Sequence, residues 1–216
     1  MKTDASIRHN VEQVLHWEPS VDEKKIGVIV NNGVVTLTGE VPHYWGRWNA
    51  EDAVKRVKGV RAIANELLVS MPATGVRTDS DIAQAAAHAL RWHASVSDAQ
   101  ITPIVKDGWI TLSGRVSFGY QKTSAESALR NLMGVKGITN ELIVDSPIVL
   151  GDVKQKIEEA FTRHAILDAK DIEVDVDEST VTLKGHVHSW QERDDAATAA
   201  WATPGVMNVK NALMVY

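Results

Sequence analysis

The 216-residue sequence contains no cysteine. This excludes disulfide bonds and thiolate metal sites together, and it carries no information about the redox compartment. An apolar run of about 18 residues, the length a membrane-spanning helix needs, is also missing. No part of the chain has a basic excess: residues 1–75 hold 9 basic and 9 acidic groups, 76–147 hold 7 and 7, and 148–216 hold 7 and 12. A nucleic-acid partner is therefore not expected.

Nucleotide-binding and catalytic motifs are missing too. Neither of the two common glycine-rich phosphate loops is present, and no nucleophile stands at a workable spacing from a base. The run from Gly114 to Gly119 resembles a nucleophile elbow, but it has one residue too many before its serine. These absences predict a protein without catalytic activity of its own and without a cofactor.

What the sequence does contain is a triple repeat. The hexapeptide at 36–41, TLTGEV, returns as TLSGRV at 111–116 and as TLKGHV at 182–187. Shifts of 75 and 146 residues carry the first unit onto the second and third without a gap. Three units of one fold are therefore predicted, with boundaries at 1–70, 78–145 and 149–216 and linkers near 70–81 and 145–152.

Each unit has the same pattern of apolar residues. It opens with a stripe at helical spacing, which in repeat one is Ile7, Val11, Val14 and Leu15. Two alternating segments follow, joined by a turn such as Asn32-Gly33, and then come a second helix rich in alanine and a last alternating segment. The predicted fold class is α+β: three tandem αββαβ domains, each with two helices packed on a three-stranded sheet.

Three positions recur in all units and predict structural roles. The first is a glycine that ends the second strand, at a bulge or where the following helix comes close. The second is a glycine expected as a left-handed residue that caps the second helix, and the third is an inward asparagine expected to hold neighbouring backbone by hydrogen bonds. The three sets are Gly39, Gly114 and Gly185; Gly59, Gly134 and Gly205; and Asn65, Asn140 and Asn211.

The order of strand, glycine, helix, Gly-Val and inward Asn followed by Leu-x-Val resembles the BON domain family, and the resemblance covers all three units. It implies a noncatalytic module of bacterial envelope and osmotic-stress proteins, with a transport-related or phospholipid-binding role. Some members of the family sense potassium. The chain differs from exported members because its first residues, Met1 to His9, lack the apolar core of a signal peptide. We therefore expect a cytoplasmic protein, or a periplasmic one if a leader precedes these residues.

Aromatic residues gather just before the predicted second helix of each unit. Trp and Tyr favour boundaries between apolar and wet surroundings, so exposed rings here would form a contact surface for lipid or protein. The alternative is that they cover the core, as large aromatic residues usually do. The candidate residues are Tyr44, Trp45, Trp48, Phe118, Tyr120 and Trp190.

One pair of histidines has the spacing of metal ligands. His186 and His188 lie on one face of a predicted strand and could bind one ion together with Glu192. The other repeats hold Glu40 with Pro42, and Arg115 with Ser117, at these positions, so an exposed strand end is the preferred interpretation and no metal is predicted.

The sequence thus favours a noncatalytic adaptor that attaches to an anionic phospholipid surface or to a partner protein. The alternative is a sensor of a small ion, such as potassium, or of another ligand. Repeat one is expected to lead in membrane contact, because it carries Lys55, Arg56, Lys58 and Arg61 beside its tryptophans.

Overall fold

The computed structural model describes residues 2–71, 76–96, 99–145, 153–163 and 171–216. The centres of both predicted linkers, 72–75 and 146–152, lie outside the described residues. The helices are α1 Asp4–His16, α2 Tyr44–Lys55, α3 Asp79–Trp92, α4 Gly119–Arg130, α5 Val153–Arg163 and α6 Trp190–Trp201. The strands are β1 Ile26–Asn31, β2 Val34–Val41, β3 Ala62–Asn65, β4 Leu68–Val69, β5 Gln100–Lys106, β6 Trp109–Val116, β7 Gly137–Asn140, β8 Ile143–Val144, β9 Ile172–Asp177, β10 Thr180–Val187 and β11 Asn208–Val215.

The three units have the predicted α+β fold. In each, the second strand is central: it pairs antiparallel with the first strand and parallel with the last. The last strand is continuous in repeat three (β11) but interrupted in the other two, where β3 and β4, and likewise β7 and β8, pair in turn with the same central strand. The parallel pairing follows from the second helix, which carries the chain back across the sheet.

Each unit has its own core between its helices and its sheet. The predicted stripe of α1 supplies Ile7, Val11 and Leu15, and β2 supplies Val35 and Leu37, all of which are buried. The other two cores repeat this arrangement at equivalent positions. Units of this size bury little apolar surface, so each depends on the contacts it makes with its neighbours.

An aspartate at the start of the first helix holds the hairpin in repeats one and two. The carboxylate of Asp4 accepts hydrogen bonds from the backbone N–H groups of Asn32 and Gly33, at 2.7 and 2.9 Å. Asp79 does the same for Asp107 and the following glycine, at 2.8 Å each. Both turn residues have positive φ, which points two successive N–H groups at one anion. The sequence-based prediction missed these contacts, which span about 28 residues.

The glycine near the end of the second strand was predicted to form a bulge or to contact the following helix. In the structure it instead contacts the backbone at the start of the first strand. Gly39 has φ of 116°, and a Cβ atom added there would lie 2.0 Å from the carbonyl oxygen of Lys25. The equivalent distances at Gly114 and Gly185 are 1.9 and 2.0 Å. A side chain is therefore excluded at this position by the backbone at the start of the hairpin.

The second glycine has the predicted positive φ but is not a helix cap. Helix α2 ends at Lys55, and its C-cap residue Arg56 is right-handed. Gly59, with φ of 93°, lies in the next turn, where the N–H of Val60 donates to the carbonyl of Val57. This is the third position of a type II turn, which requires a left-handed residue. Gly134 and Gly205, with φ of 92° and 93°, take the same conformation.

The recurrent asparagine makes the same two hydrogen bonds in every unit. Asn65 Nδ2 donates to the carbonyl of Arg47 in α2 at 3.2 Å, and its Oδ1 accepts from the N–H of Leu67 at 3.3 Å. Asn140 bonds Lys122 at 2.8 Å, and Asn211 bonds Arg193 at 2.9 Å. The amide therefore connects the middle of the second helix to the last strand, as the sequence-based interpretation requires.

The repeats meet where the start of one second helix contacts the end of the next. At the first junction, Tyr44 packs against the core of repeat two, and the Trp48 ring lies 3.5 Å from the guanidinium carbon of Arg130. Burial and the Glu126 carboxylate raise the pKa of the Tyr44 phenol, while Arg130 opposes them. At this junction, two aromatic side chains of repeat one therefore meet the cationic side chain of Arg130 in repeat two.

The other two junctions use the same helix positions with different residues. Gly119, equivalent to Tyr44, lies under Trp201 of repeat three, which also packs against the core of repeat two. Trp190 of repeat three packs against the core of repeat one, and the Lys55 ammonium donates to Asp194 at 2.9 Å. Burial by itself lowers the pKa of Lys55, but the bond to Asp194 and the charges of Asp194, Glu51 and Asp52 together outweigh it, and the pKa is raised. The three junctions close the repeats into a ring.

We expect the change of Asn65 to Leu to lower the free energy of unfolding of the protein by about 2 kcal/mol, because two backbone groups lose their hydrogen-bond partner. Thermal melting followed by circular dichroism measures the effect. The matched control is Glu66→Leu, which alters the neighbouring exposed side chain. An equal melting temperature for Asn65→Leu and the wild type would contradict the structural role.

The contact between Gly119 and Trp201 predicts that substitutions at the two positions are not additive. A Cβ atom at Gly119 would lie 2.5 Å from the Trp201 ring and 2.8 Å from both the Cβ and the carbonyl oxygen of Trp201. Gly119→Ala should therefore lower the melting temperature, with a cost of about 1–3 kcal/mol. In a Trp201→Ala background the ring is gone but the other two atoms remain, so the same change should still destabilise the protein, by a smaller amount. Equal effects in both backgrounds would contradict this account of the junction.

Candidate contact surface

Three of the six predicted contact residues lie in junctions between repeats. Tyr44, Trp48 and Trp190 contact a neighbouring repeat, and each is partly buried. This differs from the interpretation of these rings as a free surface. The reason is the ring of repeats, in which the start of each second helix meets the end of another.

Of the other three, Trp45 is half-buried, and the exposed Phe118 and Tyr120 form a stacked pair. The rings of Phe118 and Tyr120 lie 5.8 Å apart with an angle of 15° between their planes, and their exposed fractions are 39% and 48%. Gln121 holds the segment in place: its side-chain oxygen accepts from the N–H groups of Ser117 and Phe118, and its Nε2 donates to the carbonyl of Ser95. Two aromatic side chains are therefore presented on a backbone fixed by three hydrogen bonds of the Gln121 side chain.

Repeat one has a related pair at the equivalent positions. The rings of His43 and Trp45 stack with centroids 5.9 Å apart and an angle of 13°. Repeat three has Ser189 and Gln191 at these positions, and Ser189 serves as a helix cap that accepts from the N–H of Glu192. The stacked pair is therefore a feature of repeats one and two only.

The two most exposed tryptophans were not predicted as contact residues. Trp17 follows α1 and Trp92 ends α3, and their exposed fractions are 78% and 76%. They occupy equivalent positions in repeats one and two. A signal for them was present in the sequence, because neither falls on the apolar stripe that continues from Ile7 to Leu15 and from Ile82 to Leu90.

Lys55 and Arg56 of repeat one do not form a free positive patch beside its aromatic pair, and Lys58 and Arg61 line a cavity described below. Lys55 is paired with Asp194 of repeat three, and Arg56 lies 3.3 Å from Asp52. In repeat two, burial lowers the pKa of Lys122, whose ammonium lies 5.8 Å from the Trp201 ring. The surface around Phe118 and Tyr120 is thus aromatic and polar, with little net charge.

The two candidate metal ligands contact an aromatic side chain. The rings of His186 and His188 lie 5.5 and 5.2 Å from the Tyr216 ring, and His188 Nδ1 is 3.3 Å from Glu192 Oε2. Glu192 also accepts from the backbone N–H of His188 at 2.7 Å. Within the described residues, no group of three or more His, Asp or Glu side chains is arranged to hold a metal ion. Likewise, none of the described helices has the length and apolar character to cross a bilayer.

The chain was compared with known proteins. It is similar to two solved structures of CdsD, described as a structural protein of the type III secretion system of Chlamydia trachomatis, at 15% identity in each case. One match covers 96% of this chain and 91% of CdsD with a TM-score of 0.27, and the other, to the C-terminal domain, covers 100% of both with a TM-score of 0.26. Similarity at these TM-scores carries no argument about function. No curated protein matches the chain.

The family comparison agrees with the internal repeat. The model of the BON domain matches three times, at residues 3–71, 78–146 and 150–215. Each match contains one αββαβ unit with its glycines and its inward asparagine. The matches together cover nearly the whole chain, which therefore belongs to the BON domain family.

Proposed function

We propose that this chain is a noncatalytic adaptor that attaches to a phospholipid surface through repeats one and two. BON domains are noncatalytic in general and are associated with binding to membranes or proteins. The observation that carries the proposal is the exposed, stacked pair Phe118 and Tyr120 on a segment held by Gln121. The exposed Trp17 and Trp92 add apolar surface to the same two repeats.

Aromatic side chains of this kind suit the boundary between headgroups and acyl chains. Their rings gain free energy by leaving water, and the polar edges of Tyr and Trp keep contact with water. Because Gln121 fixes the backbone beforehand, little conformational freedom is lost on binding. Phe118 and Tyr120 therefore lead the contact in this proposal, in place of Trp45, which is half-buried, and Trp48, which lies in a junction.

The distribution of charge supports the same orientation. Repeats one and two have balanced charges, whereas residues 148–216 hold 7 basic and 12 acidic groups. An anionic lipid surface repels such a segment within about a Debye length, roughly 10 Å. Repeat three consequently faces away from the lipid and closes the ring of repeats through Trp190 and Trp201.

The test is co-sedimentation with vesicles of phosphatidylcholine, with and without phosphatidylglycerol. We expect Phe118→Ala plus Tyr120→Ala to weaken binding about tenfold or more, because two rings no longer leave water. The same loss is expected in both lipids and at low and high salt, since the contact is mainly apolar.

The matched control is Ile29→Ala plus Ile104→Ala, which removes two exposed apolar side chains from the sheets of the same repeats. It should bind as the wild type does, and all variants should melt at similar temperatures. If the wild type does not sediment with either vesicle, or if the control loses as much binding as the aromatic variant, the membrane proposal is wrong and a protein partner becomes the better account.

A further inference from the structure

A cavity of about 750 Å³ lies between repeats one and three. Repeat one contributes the start of α1, the β1–β2 turn and the segment around Gly59, and repeat three contributes His188, Val215 and Tyr216. The cavity exists only because the ring of repeats brings the end of the third sheet against the first hairpin. Its position is separate from the aromatic pair Phe118 and Tyr120.

Positive side chains line one wall of this cavity. They are Lys2, Lys58 and Arg61, all exposed to solvent, and in the described part of the chain none of them has an ion-pair partner. The acidic side chain in the lining, Asp4, already accepts from two backbone N–H groups of the hairpin turn. Three cationic side chains and one occupied carboxylate make this a positive site on a chain whose net charge is −5.

The backbone of repeat one holds the bases of two of these side chains. The N–H of Arg61 donates to the carbonyl of Gly33 at 2.8 Å, and its Cγ and Cδ lie 3.0 Å from where a Cβ of Gly33 would be. The Lys2 Cβ lies 3.5 Å from the equivalent point at Gly59. The aliphatic parts of the Arg61 and Lys2 side chains therefore pack on two glycines, and their charged ends extend from these fixed positions.

Part of the lining is apolar or aromatic. Ile7 lies beside Lys2 at Gly59, and repeat three adds Val215 and the ring of Tyr216, which contacts both His186 and His188. Cations together with apolar lining suit a ligand with an anionic group joined to an apolar part. The volume is within the range of small-molecule sites.

A smaller groove of about 320 Å³ occurs at the equivalent place between repeats one and two. It is lined by Lys136 and Gly108 of repeat two, equivalent to Arg61 and Gly33, and by Val69, equivalent to Val215. The arrangement is therefore a consequence of how successive repeats meet, and the junction of repeats three and one has the larger version with more cations.

We propose that the cavity between repeats one and three binds a small organic phosphate ester, with the phosphate at Lys58 and Arg61 and the apolar part against Tyr216. Arginine and lysine bind phosphate through charge-assisted hydrogen bonds, and the aromatic wall accepts a ring or a short chain. Because the ligand touches both repeats, its binding also stabilises the closed ring.

The experiment titrates the full chain with phenyl phosphate, followed by amide chemical shifts and by calorimetry. We expect saturable shifts centred on Gly33, Gly59 and Tyr216. Lys58→Met plus Arg61→Met, which keeps the aliphatic stems, should weaken binding at least about tenfold. Lys24→Met plus Lys210→Met, which removes the same charge outside the cavity, should leave binding unchanged.

Two further ligands identify the source of the phosphate. Inorganic phosphate should bind more weakly than phenyl phosphate, and a soluble short-chain phosphatidylglycerol that shifts the same amides would identify a lipid headgroup as the occupant. No saturable shift with any of these ligands at millimolar concentration, shifts centred elsewhere, or equal losses in both double variants would overturn the proposal. Phe118→Ala plus Tyr120→Ala should not alter the titration, so this test and that of membrane attachment fail independently.

Discussion

The contact between the start of one second helix and the end of the next controls how the three repeats assemble. Each junction uses the same two helix positions, but the residues differ: Tyr44 faces Arg130, Gly119 faces Trp201, and Trp190 lies beside the pair of Lys55 and Asp194. Such a start-to-end contact repeats until it either closes or forms a filament, and here it closes after three units. Because the residues differ in size and charge, each helix start suits only one helix end, which determines the order of the repeats in the ring.

This closure decides which aromatic side chains bind the repeats together and which remain available. Small αββαβ units have marginal cores, so the rings of Trp190 and Trp201, placed against neighbouring cores, add apolar burial that one unit cannot supply. Several exposed rings lie near the ends of helices in repeats one and two, where Phe118 and Tyr120 form a stacked pair. The same closure places the end of the third sheet against the first hairpin and so creates the cavity between them.

The three units share a fold but differ in chemistry. Repeats one and two begin their first helix with an aspartate that holds the hairpin and carry stacked rings before their second helix. Repeat three has Ser189 and Gln191 in place of the rings, holds all of the excess acidic groups, and supplies two of the tryptophans at the junctions. The first two repeats therefore carry the stacked rings, and the third completes the ring of repeats.

The periodicity of the sequence determined the helices, the strands, the triple αββαβ fold and the inward position of the hydrogen-bonded asparagines. These features depend on residues that are close together in the chain or repeated at fixed spacing. Family membership followed from the same motif. Sequence patterns did not separate Trp48, which lies against Arg130, from Tyr120, which is exposed, since both stand in the first turns of equivalent amphipathic helices. That difference arises where segments distant in the sequence meet. The same is true of the contact of Gly39 with Lys25, of the hydrogen bonds from the hairpin turn to Asp4, and of the cavity beside Arg61. Only the tertiary structure decided these features, because the placement of one repeat against another depends on the fit of whole surfaces and leaves no local pattern in the chain.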